Sequence, residues 1–96
     1  MTLDTIKTSI KANLAQFREE YGLVSIGIFG SQARGDAGRS SDVDILVEFA
    51  RPIGMFRFLE LEERLSDLLN AKVDLVTRKA LKPNIGRRIL AEVRMI

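Results

Sequence analysis

Two aspartates one residue apart, Asp42 and Asp44, open an apolar run that continues through Val47. In a β-strand such residues face the same side, with Cα atoms about 6.5–7 Å apart. Neighbouring carboxylates repel each other and resist burial, and a divalent cation resolves that conflict because it binds anionic oxygens held close together. The alternative is a strand whose outward face is acidic and solvated, and the pair on its own favours that alternative.

A third carboxylate, Asp74, lies in another short apolar segment, residues 72–77. If this segment pairs with the strand of Asp44, the two backbones are about 4.8 Å apart. The three aspartates would then converge, as in sites where two cations clamp the attacking and leaving oxygens of a phosphoryl transfer. The alternative is an edge position beside Lys72 or Thr77, and spacing alone leaves both open.

The third feature is Phe29-Gly30-Ser31, where an apolar segment meets a small, polar, glycine-rich stretch. Glycine lets a backbone approach a ligand closely because it has no Cβ. The Ser31 hydroxyl and the amides after it can point at a phosphate, especially where a helical turn starts. On its own, a Gly-Ser pair after a strand is more often a plain turn.

Three arginines have more than one interpretation. The Arg34 guanidinium can bind phosphate oxygens in a bidentate manner. It can also pair with Asp36 or with a site aspartate and hold the loop closed. The Arg87-Arg88 pair is either a contact for a partner protein or, by default, part of a solvated helix face.

Hydrophobic spacing predicts the helices that must position these residues. Apolar residues three or four apart mark the first helix: Leu3, Ile6, Ile10, Leu14 and Phe17. Gly22 is a natural C-terminal cap for it. A second amphipathic helix is predicted over residues 54–69, with Glu60 and Arg64 four apart and placed to pair, and Pro83 can open a last helix.

The strands are predicted between these helices. Leu23–Phe29 is short, apolar and bounded by glycine, which is typical of a buried strand. Val43, Ile45, Val47 and Phe49 alternate with Asp42, Asp44, Leu46 and Glu48, which is a strand pattern. Residues 72–77 are predicted to form a third strand. The intervening residues 30–41 are predicted to form a loop with one short helical turn.

Composition narrows the chemistry. The 96 residues are predicted to form one domain, residues 1–96, and they include no cysteine and no histidine. Metal binding must therefore use oxygen ligands, which favours Mg²⁺ or Mn²⁺ over zinc. The absence of cysteine is compatible with a reducing cytoplasm, where we expect the protein to act. Residues 77–96 carry six Lys/Arg against one Asp/Glu, and such a basic tail can face phosphates or an acidic partner.

The motifs together resemble a known signature. Gly30-Ser31, ten intervening residues and Asp42-x-Asp44 resemble the signature of the polymerase-beta-like nucleotidyltransferase superfamily. The longer string through Val47 is similar to its minimal branch, the MNT domains. Asp74 stands where the family has its third strand aspartate, and residues 82–92 resemble the family's C-terminal helix. The resemblance thus covers nearly the whole chain.

This resemblance implies a fold and a set of site residues. The fold is α/β (α+β), a small mixed β-sheet flanked by helices. Gly30 and Ser31 would bind the triphosphate, with Arg34 as the third candidate nucleotide-binding residue. The catalytic and metal-binding residues would be the three aspartates: Asp42, Asp44 and Asp74. The last of these would also act as the base toward the incoming hydroxyl.

The resemblance also implies a function. Many MNT proteins are antitoxins whose partner is a HEPN-domain ribonuclease toxin, and some transfer AMP from ATP to a toxin tyrosine. We therefore expect a nucleotidyltransferase antitoxin that uses Mg²⁺ or Mn²⁺, with ATP as substrate. The alternative is an antitoxin that neutralises its toxin by binding without catalysis. An antibiotic-modifying nucleotidyltransferase is disfavoured because a second domain for the acceptor is missing.

The expected partners follow from these implications. They are a nucleoside triphosphate and the toxin; neither a membrane nor nucleic acid as a direct substrate is expected. A homodimer and a hetero-oligomer with the toxin both remain open. The predicted contacts for the toxin are the basic tail, residues 78–94, and three apolar positions expected to be exposed: Ile89, Val93 and Ile96.

Overall fold

Residues 2–35 and 42–96 are described by a computed structural model, in which helices and strands alternate along most of the chain. The helices are α1 (Leu3–Tyr21), α2 (Ser31–Arg34), α3 (Met55–Leu69) and α4 (Pro83–Glu92). The strands are β1 (Leu23–Phe29), β2 (Val43–Phe49), β3 (Val73–Thr77) and β4 (Arg94–Met95), and a 3-10 turn covers Arg78–Ala80. Among these described residues, no helix combines the length and the apolar character needed to cross a membrane.

The four strands form one mixed sheet in the order β3-β2-β1-β4. β2 and β3 run parallel, as expected for strands joined by the long α3 crossover, and the other two pairings are antiparallel. The predicted fold class, a small mixed sheet flanked by helices, is confirmed. The predicted bounds of β1 match those observed.

Local sequence explains where the long helices begin and end. At the start of α1, the Thr2 hydroxyl accepts from the Thr5 amide while the Thr5 hydroxyl accepts from the Thr2 amide, a reciprocal cap. Gly22 ends α1 in the left-handed conformation, with φ of 69°. Asn70 ends α3 in the same region, with φ of 51°, which asparagine tolerates better than most residues.

The core lies between one face of the sheet and helices α1 and α3. Ile45 and Val47 of β2 are fully buried there against apolar residues of both helices. Since successive strand residues point to opposite faces, Asp44 lies on the other face of β2. Ile45 and Val47, which pack on the helices, therefore lie on one face of β2, and the Asp44 carboxylate lies on the other.

Polar contacts join α1 to α3, and they differ from the predicted Glu60–Arg64 pair. The Tyr21 hydroxyl donates to Glu60 Oε1 at 2.7 Å, and Arg57 Nη1 lies 3.1 Å from the same oxygen. Arg64 instead pairs with Glu20 of α1 and donates to the Tyr21 hydroxyl at 3.1 Å. The predicted pair was wrong because both side chains find partners on the facing helix.

Helix α3 also satisfies backbone groups of the edge strand β3. The Val73 amide donates to Ser66 Oγ at 3.1 Å, and the Leu75 amide donates to Glu62 Oε2 at 2.9 Å. These amides alternate with those that face β2 in the parallel ladder. Side chains of α3 thus occupy positions that another strand would use.

The C-terminal residues differ from their prediction. Residues 94–95 form β4 against β1, and the Ile96 amide donates to the Ile26 carbonyl at 2.9 Å. Ile96 is partly buried against the core, so the prediction that it stands exposed was wrong. Gly27 of β1 leaves the space that the chain needs where it crosses β1 to form β4. A Cβ on this residue would lie 2.7 Å from side-chain atoms of both Val93 and Met95. Val93 is likewise partly buried in the crossing.

Candidate active site

The strand register brings two of the predicted aspartates side by side. Asp44 of β2 is directly opposite Asp74 of β3, and on its other side it is opposite Phe29, the last residue of β1. The structure thus decides between the two alternatives that spacing left open for Asp74: its strand pairs with the strand of Asp44. Consequently the end of β1, the start of β2 and the start of β3 meet at the same end of the sheet.

The loop after β1 lies directly against Asp44. Gly30 has φ of 73° and ψ of −153°, a backbone region that is essentially restricted to glycine. A Cβ on this residue would collide with the Asp44 carboxylate. Glycine is therefore required here both by its backbone conformation and by the close approach. The predicted helical turn follows at once, with the Ala33 and Arg34 amides each 3.1 Å from the Gly30 carbonyl.

The surroundings of Asp44 disfavour its ionised form. Its partial burial raises the pKa of Asp44 above its ordinary value, and the neighbouring charges of Asp74 and Asp42 raise it further. The Arg34 guanidinium acts in the opposite direction, and Glu92 adds to the increase. A cation at this position would relieve both causes of the shift, since it replaces lost solvation and offsets the like charges.

Asp42 lies just before β2, where its carboxylate is 3.6 Å from the Lys72 ammonium group. Across residues 2–35 and 42–96, no three Asp, Glu, His or Cys side chains are gathered as a ready metal-ligand set. A bound cation would have to draw the carboxylates together. The oxygen donors present fit Mg²⁺ or Mn²⁺. The predicted pairing of Arg34 with Asp36 falls outside the described residues.

Glu92 is a site residue that sequence reasoning missed. Its Oε1 accepts from the Gly30 amide at 3.0 Å, and its Oε2 lies 3.0 Å from Arg34 Nη1. The Glu92 side chain is 26% exposed and the Arg34 side chain 50% exposed, so the carboxylate is the more shielded member of a pair at the surface. No local spacing signals this contact, because the partners are about sixty residues apart in sequence. Glu92 lies in the segment that resembles the family's C-terminal helix, but the resemblance implied no role for this residue.

Helix α4 and the loop enclose a cleft of 350 Å³. Such a volume lies within the range of small-molecule sites. Its lining combines the loop, one aspartate and one face of the helix: Phe29, Gly30, Ser31, Arg34, Asp44, Ile85, Arg88, Ile89 and Glu92. Arg88 and Ile89 thus face the cleft, whereas the predictions gave Arg88 a solvated face or a partner contact and Ile89 a partner contact.

A larger groove of 440 Å³ lies at the opposite end of β2, where Phe49 and Phe58 line it. It contains none of the three aspartates and no part of the glycine-serine loop. The smaller cleft combines the loop with Asp44, so it is the candidate active site.

Comparisons with known proteins bear on this site. A family model described as a nucleotidyltransferase domain matches residues 10–96. The protein adenylyltransferase MntA of Thermococcus cleftensis is 44% identical over 93 residues, which cover 97% of this chain and 94% of that protein. A solved structure of a minimal nucleotidyltransferase superposes with a TM-score of 0.83 at 33% identity, covering 98% of this chain and 95% of that chain.

A more distant likeness concerns the fold alone. A chain from a complex of tri-AMPylated Shewanella oneidensis HEPN toxin with MNT antitoxin has a TM-score of 0.69 at 21% identity. The match covers 94% of this chain and 70% of that chain. The same arrangement of strands and helices is therefore found in a protein solved together with its partner.

Proposed function

The chain belongs to the nucleotidyltransferase domain family, in its minimal branch, and on that basis we propose that it transfers AMP from ATP to a hydroxyl group of a partner protein. The proposed partner is a HEPN-domain ribonuclease toxin, the proposed acceptor is a tyrosine, and the proposed consequence is neutralisation of the toxin. The similarity to a protein adenylyltransferase at 44% identity supports the reaction type. The fold shared with an MNT antitoxin supports the choice of partner.

The observation that carries this proposal is the position of Asp44 between two other elements. Asp74 is its neighbour on one side, and the glycine-serine loop approaches it on the other. A triphosphate on the loop would therefore have its phosphates beside a pair of carboxylates. Phosphoryl-transfer sites need this proximity, because catalysis depends mainly on positioning and charge stabilisation.

The residues of the site divide the proposed reaction between them. The acceptor hydroxyl gives its proton to the Asp74 carboxylate while its oxygen forms a bond to the α-phosphorus of ATP. The bond from that phosphorus to the bridging oxygen of the β-phosphate breaks, and pyrophosphate leaves with the electron pair. Gly30 and Ser31 hold the triphosphate, and Arg34 offsets its charge. The products are a phosphodiester that links AMP to the acceptor, and pyrophosphate.

The carboxylates of this site are oxygen donors of the kind that a divalent cation binds. Asp44 is partly buried beside like charges, which disfavours its ionised form unless a cation is near. Asp42, Asp44 and Asp74 would hold Mg²⁺ or Mn²⁺. When bound, the metal would supply positive charge that offsets the charge developing on the phosphate oxygens.

The position of Asp74 favours an acceptor from another protein. β3 is an edge strand of the sheet, and the side chain of Asp74 is only partly buried there. The described residues provide a cleft wall on the α4 side of Asp44. A partner chain that approaches the β3 side can place a hydroxyl beside Asp74 without displacing that wall.

The test is transfer of label from α-labelled ATP to a cognate HEPN toxin in the presence of Mg²⁺. We expect label on a toxin tyrosine, located by mass spectrometry, and loss of labelling with Asp44→Asn, which removes a charge but keeps the side-chain shape. A toxin with that tyrosine changed to phenylalanine is the matched control. Folded Asp44→Asn protein that still neutralises the toxin fully in cells would favour the binding antitoxin instead.

A further inference from the structure

One carboxylate of helix α4 joins two parts of the nucleotide loop. Glu92 accepts from the Gly30 amide through Oε1 and pairs with Arg34 through Oε2, each at 3.0 Å. These contacts tie the first residue of the loop to the last residue of α2. A single side chain from the C-terminal part of the chain thus contacts both ends of residues 30–34.

The fold places Glu92 there through β1. Glu92 is the last residue of α4, and two residues later Arg94 begins β4, which pairs with Ile28 of β1. β1 then ends at Phe29, immediately before Gly30. β1 therefore positions both the Glu92 carboxylate and the loop. The two residue pairs that join β4 to β1 set the distance between them.

The Glu92 carboxylate would repel a triphosphate in this cleft, since like charges repel. It can still favour binding if it fixes the Arg34 guanidinium before the triphosphate arrives. A free arginine side chain loses rotamer entropy when it is immobilised, and a preorganised one loses less on binding. The contact to the Gly30 amide likewise orients the backbone of the loop before the ligand arrives.

We propose that Glu92 is a positioning residue of the nucleotide site: it holds the Arg34 guanidinium and the Gly30 backbone in the arrangement that receives the triphosphate. This inference rests on the proposed function. Glu92 acts through Arg34 and Gly30 and takes no part in the transfer itself. The opposite role is a gate, in which the Glu92 carboxylate occupies the position of a phosphate group and must be displaced before ATP binds. Replacing Glu92 would weaken ATP binding if it positions the site and strengthen ATP binding if it is a gate.

The test compares ATP affinity, KM and kcat for wild type, Glu92→Ala, Arg34→Ala and the double variant. We expect Glu92→Ala to weaken ATP binding about tenfold, the effect of losing a hydrogen bond to a charged group, and to raise KM by a similar factor with little change in kcat. The double variant should bind little more weakly than Arg34→Ala, because the two residues act as a unit.

Two further variants separate positioning from loss of folding. Glu92→Gln keeps an acceptor for the Gly30 amide but loses the charge, so its ATP affinity should lie between those of wild type and Glu92→Ala. Glu60→Ala is the matched control, since Glu60 also pairs with an arginine at 3.1 Å but lies between α1 and α3. It should change the free energy of unfolding and leave ATP affinity unchanged.

The outcomes are distinguishable. Wild-type affinity for ATP in folded Glu92→Ala and Glu92→Gln would overturn the positioning role and leave the proposed function standing. Tighter ATP binding by either variant would overturn it in favour of the gate. If the wild-type protein itself binds no ATP with Mg²⁺ present, the proposed function fails, and the role of Glu92 fails with it.

Discussion

The close approach of Gly30 to Asp44 makes Gly30→Ala a sensitive perturbation. An alanine with φ of 73° and ψ of −153° would occupy a region that costs about 1–3 kcal/mol for residues other than glycine. Its Cβ would also collide with the Asp44 carboxylate, and forced overpacking costs about 1–3 kcal/mol. The sum, about 2–6 kcal/mol, is a large share of the 5–15 kcal/mol that stabilises a typical domain.

The matched control is Gly35→Ala. Gly35 also has a positive φ, 79°, but its ψ of 14° is in the ordinary left-handed region, and among the described residues beyond its chain neighbours no atom would lie within 4 Å of an added Cβ. We expect it to lose only about 1–2 kcal/mol. Urea unfolding gives both values, and calorimetry with ATP and Mg²⁺ gives the loss of binding, which should be confined to Gly30→Ala.

A second substitution tests the cause of the loss. If the Asp44 carboxylate is the obstacle, Asp44→Ala introduced into the Gly30→Ala protein should restore part of the lost stability, a positive coupling between neighbours. Two results would refute the reasoning: equal losses of stability in the Gly30 and Gly35 variants, or wild-type ATP affinity in folded Gly30→Ala.

Three other perturbations have signs fixed by the structure. Because the pKa of Asp44 is raised in the folded state, the folded protein holds the Asp44 proton more tightly than the unfolded chain does. The stability of the protonated form is fully present below about pH 4 and is lost as pH rises through the raised value. Asp44→Asn should therefore be the more stable protein at pH 7 in metal-free buffer, and urea unfolding from pH 4 to 7 should show the difference growing with pH. Burial raises the pKa of Tyr21, so wild-type stability should fall as pH rises from about 10, and Tyr21→Phe should lack that part of the decline. At neutral pH the same variant should lose about 1–2 kcal/mol with its bond to Glu60, and an equal unfolding free energy would contradict this. Deleting residues 94–96 should lower the melting temperature and ATP affinity together, because β4 places Glu92; loss of partner binding alone would contradict the assignment.

Several elements could be predicted from the sequence because their signals are local. The apolar run bounded by glycines gave β1 its observed limits, and Gly22 marked the end of α1. The opposition of Asp44 and Asp74 was a conditional prediction, since period-two spacing shows which face a residue lies on but not which strands pair. The roles of these aspartates in metal binding and catalysis stay predictions.

The features that sequence reasoning missed depend on distant contacts. β4 is two residues long and too short for an alternating pattern, and it forms because Gly27 leaves room for Val93 and Met95 to cross β1. Glu92 reaches Gly30 and Arg34 only after that crossing is made. Its position is a product of tertiary pairing, and no spacing along the chain encodes it.

The capping of β3 by Ser66 and Glu62 has a consequence for assembly. An uncapped edge strand offers its amides to any extended peptide, which invites aggregation through added strands. On β3 the amides of Val73 and Leu75 already donate to side chains of α3, so an incoming strand would have to displace those side chains. An added strand is therefore disfavoured at the border of the sheet next to Asp74, which favours recognition through the side chains of a partner.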